Sequence, residues 1–152
     1  MAKQVWQMRS RIMNNKEVFD RNGVLYLNNL LSKEECDEAL LCLFKEKQNG
    51  NFITDSMGFN LTYNLYELDY LLHRVKPRIE KILDVELFHA YIYSRIYQPG
   101  DKLDMHTDRN SCEISITVTL GYSGDDIWPF VYLTKNDTKP YIHFENDGSR
   151  YP

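Results

Sequence analysis

The hydrophobic period of this chain changes near Leu87, and that change limits what the chain can fold into. Before it, Leu65, Leu68, Leu72, Val75, Ile79 and Ile82 recur every three or four residues, the stripe of an amphipathic helix. After it the period is two. Phe88, Ala90, Ile92 and Ile96 alternate with His89, Tyr91, Tyr93, Arg95 and Tyr97, as in a strand with one apolar and one aromatic-polar face.

Smaller signals fill in the rest. Val24-Leu25-Tyr26-Leu27 reads as a short strand. Ser32 and Glu35 form a capping box for a helix whose apolar face is Cys36, Leu40, Leu43 and Phe44, with Gly50 as its terminator. Residues 51–64 read as loop. Pro77 should kink or split the second helix near Lys76. Gln98-Pro99-Gly100-Asp101 is a turn. Residues 113–120 alternate most cleanly, with Ile114, Ile116, Val118 and Leu120 opposite Ser115, Thr117 and Thr119. A turn over 121–126 precedes strands at 127–133, where Pro129 favours an edge or bulge, and 141–144. Short strands at such spacing point to a β-sandwich or jelly roll. Two helices covering one sheet face make the layout α+β, a single domain over 1–152.

Composition excludes some functions. The net charge is −4, without the broad basic footprint of a nucleic-acid binder. No apolar run approaches a membrane span, and the first residues show no signal-peptide core, so the expected location is cytoplasmic. Cys36, Cys42 and Cys112 match no zinc or redox spacing and read as free thiols. Two Asn-x-Thr sequences, at Asn60 and Asn136, carry little meaning without a secretory signal.

His106 and Asp108 stand between the turn and the cleanest strand. On an extended backbone, side chains two apart share a side. An imidazole and a carboxylate can then reach one ion, as in the two-histidine, one-carboxylate site of non-haem Fe(II). The tripeptide alone fits a solvated surface turn better. Its context, an aromatic strand before it and a Ser/Thr-faced strand after it, favours a ligand site. His73, alone in a helix, reads as a surface or packing residue. Glu113, Asp125 and Asp126 read as solvated turn carboxylates, and Cys112 as packing.

The run Tyr93-Ser94-Arg95-Ile96-Tyr97-Gln98-Pro99-Gly100-Asp101-Lys102-Leu103-Asp104-Met105-His106-Thr107-Asp108 resembles the iron-binding region of 2-oxoglutarate-dependent oxygenases, particularly the prolyl 4-hydroxylase-like group. Asn28-Asn29-Leu30-Leu31-Ser32-Lys33-Glu34-Glu35-Cys36-Asp37 resembles the entry to that group's first helix. The likeness covers roughly residues 20 to 135. It implies a double-stranded β-helix, a jelly-roll variant, with N-terminal helices packed on one sheet. It implies a hydroxylase (a dioxygenase) acting on a peptidyl, for instance prolyl, or small-molecule substrate, with ascorbate as reductant. His106 and Asp108 would be Fe(II) ligands, and Tyr97 and Thr119, with Thr117 beside it, would face 2-oxoglutarate. Packing explains Tyr97 as an alternative, and strand propensity explains the threonines. Arg95 fits either a carboxylate partner or a solvated edge.

The chain also departs from that pattern. The family places a second histidine on a late strand, with a basic residue after it for the distal carboxylate of 2-oxoglutarate. Here the downstream histidine is His143, on what reads as the fifth core strand, and Arg150 is a poor match for the basic residue. His143 fits a loop or substrate-side residue better than a third ligand. The expectations are therefore a domain lacking its C-terminal strands, an oxygenase by descent, or a non-catalytic jelly-roll binding module of the same descent. A cupin-like use of the pair for another metal is a third reading. An open sheet edge would invite a homodimer.

Overall fold

A computed structural model describes residues 13–54, 60–123, 129–136 and 141–144, the last four and residue 129 by their backbone. The described chain is α+β: three helices and two small antiparallel sheets. The helices are α1 (Asn15–Asn22), α2 (Lys33–Gln48) and α3 (Asp69–Leu83), with a 3-10 turn at Tyr66–Leu68 leading into α3. The strands are β1 (Ile53–Thr54), β2 (Asn60–Tyr63), β3 (Tyr93–Ile96), β4 (Pro129–Tyr132) and β5 (Tyr141–Phe144). One sheet has the order β1-β2-β3, and the other pairs β4 with β5.

The start of α2 is where the capping box places it. Ser32 Oγ accepts the Glu35 N–H at 3.2 Å, and Glu35 returns a bond to the Ser32 N–H at 2.8 Å. Glu35 does more than cap. It is buried, and its carboxylate takes two bonds from Arg78, at 2.7 and 2.8 Å, and one from Arg74 at 3.1 Å. Arg78 also donates to the Leu30 carbonyl at 2.6 Å. Bidentate charged bonds of this kind are the strong ones. They hold the Glu35 carboxyl down to about 2, Arg78 most of all. This clamp turns the buried stripe of α2 toward Glu35, Ala39, Leu43 and Glu46. Phe44, expected inside, is 51% exposed, and Cys36 and Leu40 are half-buried. At the other end Glu46 accepts the side-chain amides of Asn49 and Asn51, and Gly50 lies past the helix at φ +78°.

α3 is one continuous helix, and Pro77 does not split it. His73 and Pro77 are both on the exposed side, so the carbonyl that loses its amide partner faces water. Leu68, Leu71, Ile79 and Leu83 are buried, with Leu72 and Val75 half-buried beside them. The core is Leu31, Ala39, Leu43, Leu65, Leu68 and Leu71. Among the described elements, α1 packs on α3, and α2 and α3 pack on the 66–68 turn. The helices meet through this core and the 66–68 turn. The β half reaches the core through Ile92, Val118 and Leu120.

Four local expectations are corrected. Residues 51–64 hold β1 and β2 rather than only loop, in antiparallel register with Leu61 opposite Arg95 and Tyr63 opposite Tyr93. β3 is only as long as its partner. Asn64, at φ +52°, turns β2 away after a last bond to the Ile92 carbonyl, and Phe88, placed on the apolar face, is 86% exposed. Residues 24–27 form no strand; Val24, Leu25 and Tyr26 instead flank a cavity of about 360 Å³ beside Tyr132. Residues 113–120, the cleanest alternation in the sequence, join no ladder among the described residues. A strand's hydrogen bonds come from a neighbour, and no described strand lies beside this one.

α1 has its own box: Asn14 Oδ1 accepts the Glu17 N–H at 2.9 Å, and Glu17 bonds the Asn14 N–H at 3.0 Å. Gly23 ends it in the left-handed region, at φ +74°. A Cβ there would lie 2.8–3.1 Å from the aliphatic carbons of Lys135. Lys135 N–H donates to the Asn22 carbonyl at 2.8 Å, and Asn136 donates from its side chain to the Arg21 carbonyl at 2.7 Å.

Candidate functional site

The site is built from the turn after β3. Asp101 N–H donates to the Gln98 carbonyl, and the Asp101 carboxylate accepts the Gln98 N–H, both at 2.9 Å. Gly100 takes φ +94°, the left-handed third position such a Pro-Gly turn requires. The chain then runs out over residues 102–108 without a ladder.

His106 and Asp108 come together there, with Nε2 3.6 Å from Oδ1. Each has a supporting bond. His106 Nδ1–H donates to the Asp104 carbonyl at 2.8 Å, which leaves Nε2 facing Asp108. Asp108 accepts the Ser115 hydroxyl on Oδ2, which leaves Oδ1 facing His106. Metal-bound histidines and carboxylates are oriented by partners of this type. Two ligands at right angles on one first-row ion are about 3 Å apart, so 3.6 Å needs only a small side-chain adjustment. The donor set, one imidazole nitrogen and one carboxylate oxygen, fits two positions of an Fe(II) site. The pair is open to water, with side chains 52% and 42% exposed. No third His, Cys, Asp or Glu completes a group with them among the described residues.

An aromatic cluster underlies the loop. The Arg109 guanidinium sits 5.1 Å over the Tyr91 ring, which lies 4.9 Å from the Tyr63 ring. Cys112, expected only to pack, donates its thiol to the Tyr91 hydroxyl at 3.5 Å. That bond, with burial adding to it, pushes the Tyr91 phenol up. The Cys112 N–H closes a turn on the Arg109 carbonyl at 2.8 Å. Arg95 lies half-buried at the edge of this cluster, bonding the Tyr93 hydroxyl at 2.9 and 3.2 Å. Burial opposes its charge; its bonds to Tyr93 and then Tyr97 outweigh that and raise it above its ordinary value.

The other expected residues are placed as follows. Tyr97 is 39% exposed and engages Arg95. Thr117 and Thr119 point outward, while Val118 and Leu120 turn to the core. Glu113 is exposed. His73 is exposed, its ring edge-on to His89 at 4.8 Å. Among the described residues Cys36, Cys42 and Cys112 form no disulfide. His143 is on β5, but its side chain, like Arg150, Asp125 and Asp126, lies outside the described residues. The 360 Å³ cavity and a second, open groove of about 760 Å³, bordered by Asn14, Lys16 and Arg78, both lie away from His106 and Asp108. No described helix is long and apolar enough to cross a membrane.

Asp104 and Ser115 were not foreseen. A backbone carbonyl leaves no sequence signal. Ser115 is marked only by its place on the polar face of the strand after the motif. Comparison of the chain with protein-family models, with curated proteins and with solved structures finds no match.

Proposed function

We propose that the chain is a Fe(II)- and 2-oxoglutarate-dependent oxygenase of the prolyl 4-hydroxylase-like group, on a double-stranded β-helix, hydroxylating a peptidyl or small-molecule substrate. One observation carries this reading: the His106–Asp108 pair, 3.6 Å apart, with each member's second polar atom already bonded to Asp104 or Ser115. A solvated turn has no need to fix both side chains in facing orientations. His106 and Asp108 would hold the iron. When bound, it supplies oxidative decarboxylation of 2-oxoglutarate to succinate, coupled to hydroxylation of a C–H bond. The residues of the chain do the rest. His106 would present a ring nitrogen, Asp108 a carboxylate oxygen, and Ser115 keeps the carboxylate from rotating away. Tyr97 and Thr119 would face 2-oxoglutarate.

The test is succinate formation from 2-oxoglutarate by the purified chain with Fe(II) and ascorbate. Turnover lost in His106→Ala and Asp108→Ala is the expected result. A chain that neither binds Fe(II) nor forms succinate fails as an oxygenase. The exposure of the pair and the position of both cavities away from it favour a second reading, a non-catalytic binding module of the same descent. That reading expects 2-oxoglutarate to be left unconsumed while the fold is intact.

A further inference from the structure

Residues 115–120 combine a strand's sequence with a strand's exposure and lack a strand's partner among the described residues. Ile114, Ile116, Val118 and Leu120 share one face. Val118 and Leu120 pack against the core, yet Ile116 on the same face is 41% exposed. Ser115, Thr117 and Thr119 are exposed on the other face. No ladder covers the segment among the described residues. From Ile114 to Tyr122 the chain carries no charged residue and no proline. Those are the features with which edge strands ordinarily block self-association.

We infer that this segment is a homodimerisation strand, pairing antiparallel with the same segment of a second copy. A two-fold axis at Thr117 sets Ile116 against the copy's Val118, Ser115 against its Thr119, and Ile114 against its Leu120. Apolar meets apolar and hydroxyl meets hydroxyl at every position, the pairings that stabilise a ladder. The copy's Val118 then covers the otherwise exposed Ile116. Charge permits this register too. Glu113 falls opposite Gly121, and the two Glu113 residues end up about 27 Å apart, at about 3.4 Å per residue. The free edge of β3 suits self-pairing less well, because its antiparallel register sets Ser94 against Arg95 and Tyr93 against Ile96. The inference does not rest on the oxygenase reading, and the dimer is read without activity.

Light scattering after gel filtration, at about 100 µM chain, tests it, since a ladder this short makes a weak interface. The expected mass is twice the 18.1 kDa of one chain. Thr117→Lys, which sets two charges face to face at the axis on an exposed position, should return it to the single-chain value with an unchanged helical circular dichroism signal. Thr117→Cys, under mild oxidation, should link two copies through a disulfide, because directly opposed Cβ atoms are about 4.5–5.5 Å apart. Tyr66→Cys, exposed elsewhere, should not. A monomer at that concentration with no Thr117→Cys crosslink overturns the proposal, whichever segment of the chain then covers the strand. A dimer that persists in Thr117→Lys and does not crosslink through position 117 overturns it as well.

Discussion

The α2–α3 region and the 97–120 region treat their polar groups in opposite ways. In the first, a buried carboxylate gathers four hydrogen bonds from three residues and draws two helices together. In the second, a histidine and an aspartate are each held by one bond and left facing water and each other. Both arrangements order charged side chains. The first converts that order into stability, because its carboxylate is out of water. The second holds its order at the surface, where it contributes little to folding and leaves two atoms free to bind something else.

The comparison can be broken at several points. The largest effect is expected from Leu68→Ala, which truncates the largest fully buried side chain of the core. It should cost about 3 kcal/mol in urea unfolding. Ile116→Ala, at 41% exposure, should cost well under half as much. Similar losses would mean that the second region is as much a part of the core as the first.

Glu35→Gln comes next. The depressed carboxyl alone implies roughly 3 kcal/mol. Arg74 and Arg78 are 49% and 40% exposed, so solvent screening reduces the expected loss to about 2 kcal/mol. The pH dependence has a definite sign. A carboxyl held at about 2 in the folded chain, against 4.5 without partners, contributes stability in full above the higher value. That contribution fades as pH falls from about 4.5 through about 2. Urea midpoints from pH 6 to pH 2 should therefore drop more steeply for the native chain than for Glu35→Gln, and parallel curves would remove Glu35 from the account.

Gly23→Ala should cost about 1 kcal/mol or somewhat more. Alanine is strained at φ +74°, and Lys135 must move aside; thermal unfolding reads the change. The smallest effect on folding is expected at the surface pair. His106→Ala and Ser115→Ala should each alter stability by no more than about 0.5 kcal/mol. Ser115→Ala should nonetheless weaken Fe(II) binding by about tenfold, measured by titration. A variant that unfolds the chain but leaves metal affinity unchanged would invert the comparison.

Helical structure was legible because its signals are local. Ser32 and Glu35 name the start of α2, and the Leu/Ile stripe names α3. Asn14 and Glu17 carried the same signal for α1 and went unread, since no apolar run follows them. Strand structure was legible only as tendency. Residues 113–120 have the alternation without a ladder among the described residues, while Asn60-Leu61-Thr62-Tyr63 has the ladder with little alternation, because pairing with β3 decides it. The candidate site divides in the same way. Spacing two on an extended backbone brought His106 and Asp108 together. The turn at Arg109–Cys112, which carries Ser115 back to Asp108, depends on contacts with Tyr91.

The bonds from Lys135 and Asn136 to the end of α1 have a consequence for synthesis. They join residues more than a hundred positions apart. A ribosome that has released residues up to Leu83 has supplied every residue of the helical core. At about 5–20 residues per second, the tether that closes over Gly23 follows seconds later. During that interval α1 emerges with its cap made and its far end unsecured, so the first of the described helices is among the last to be fastened.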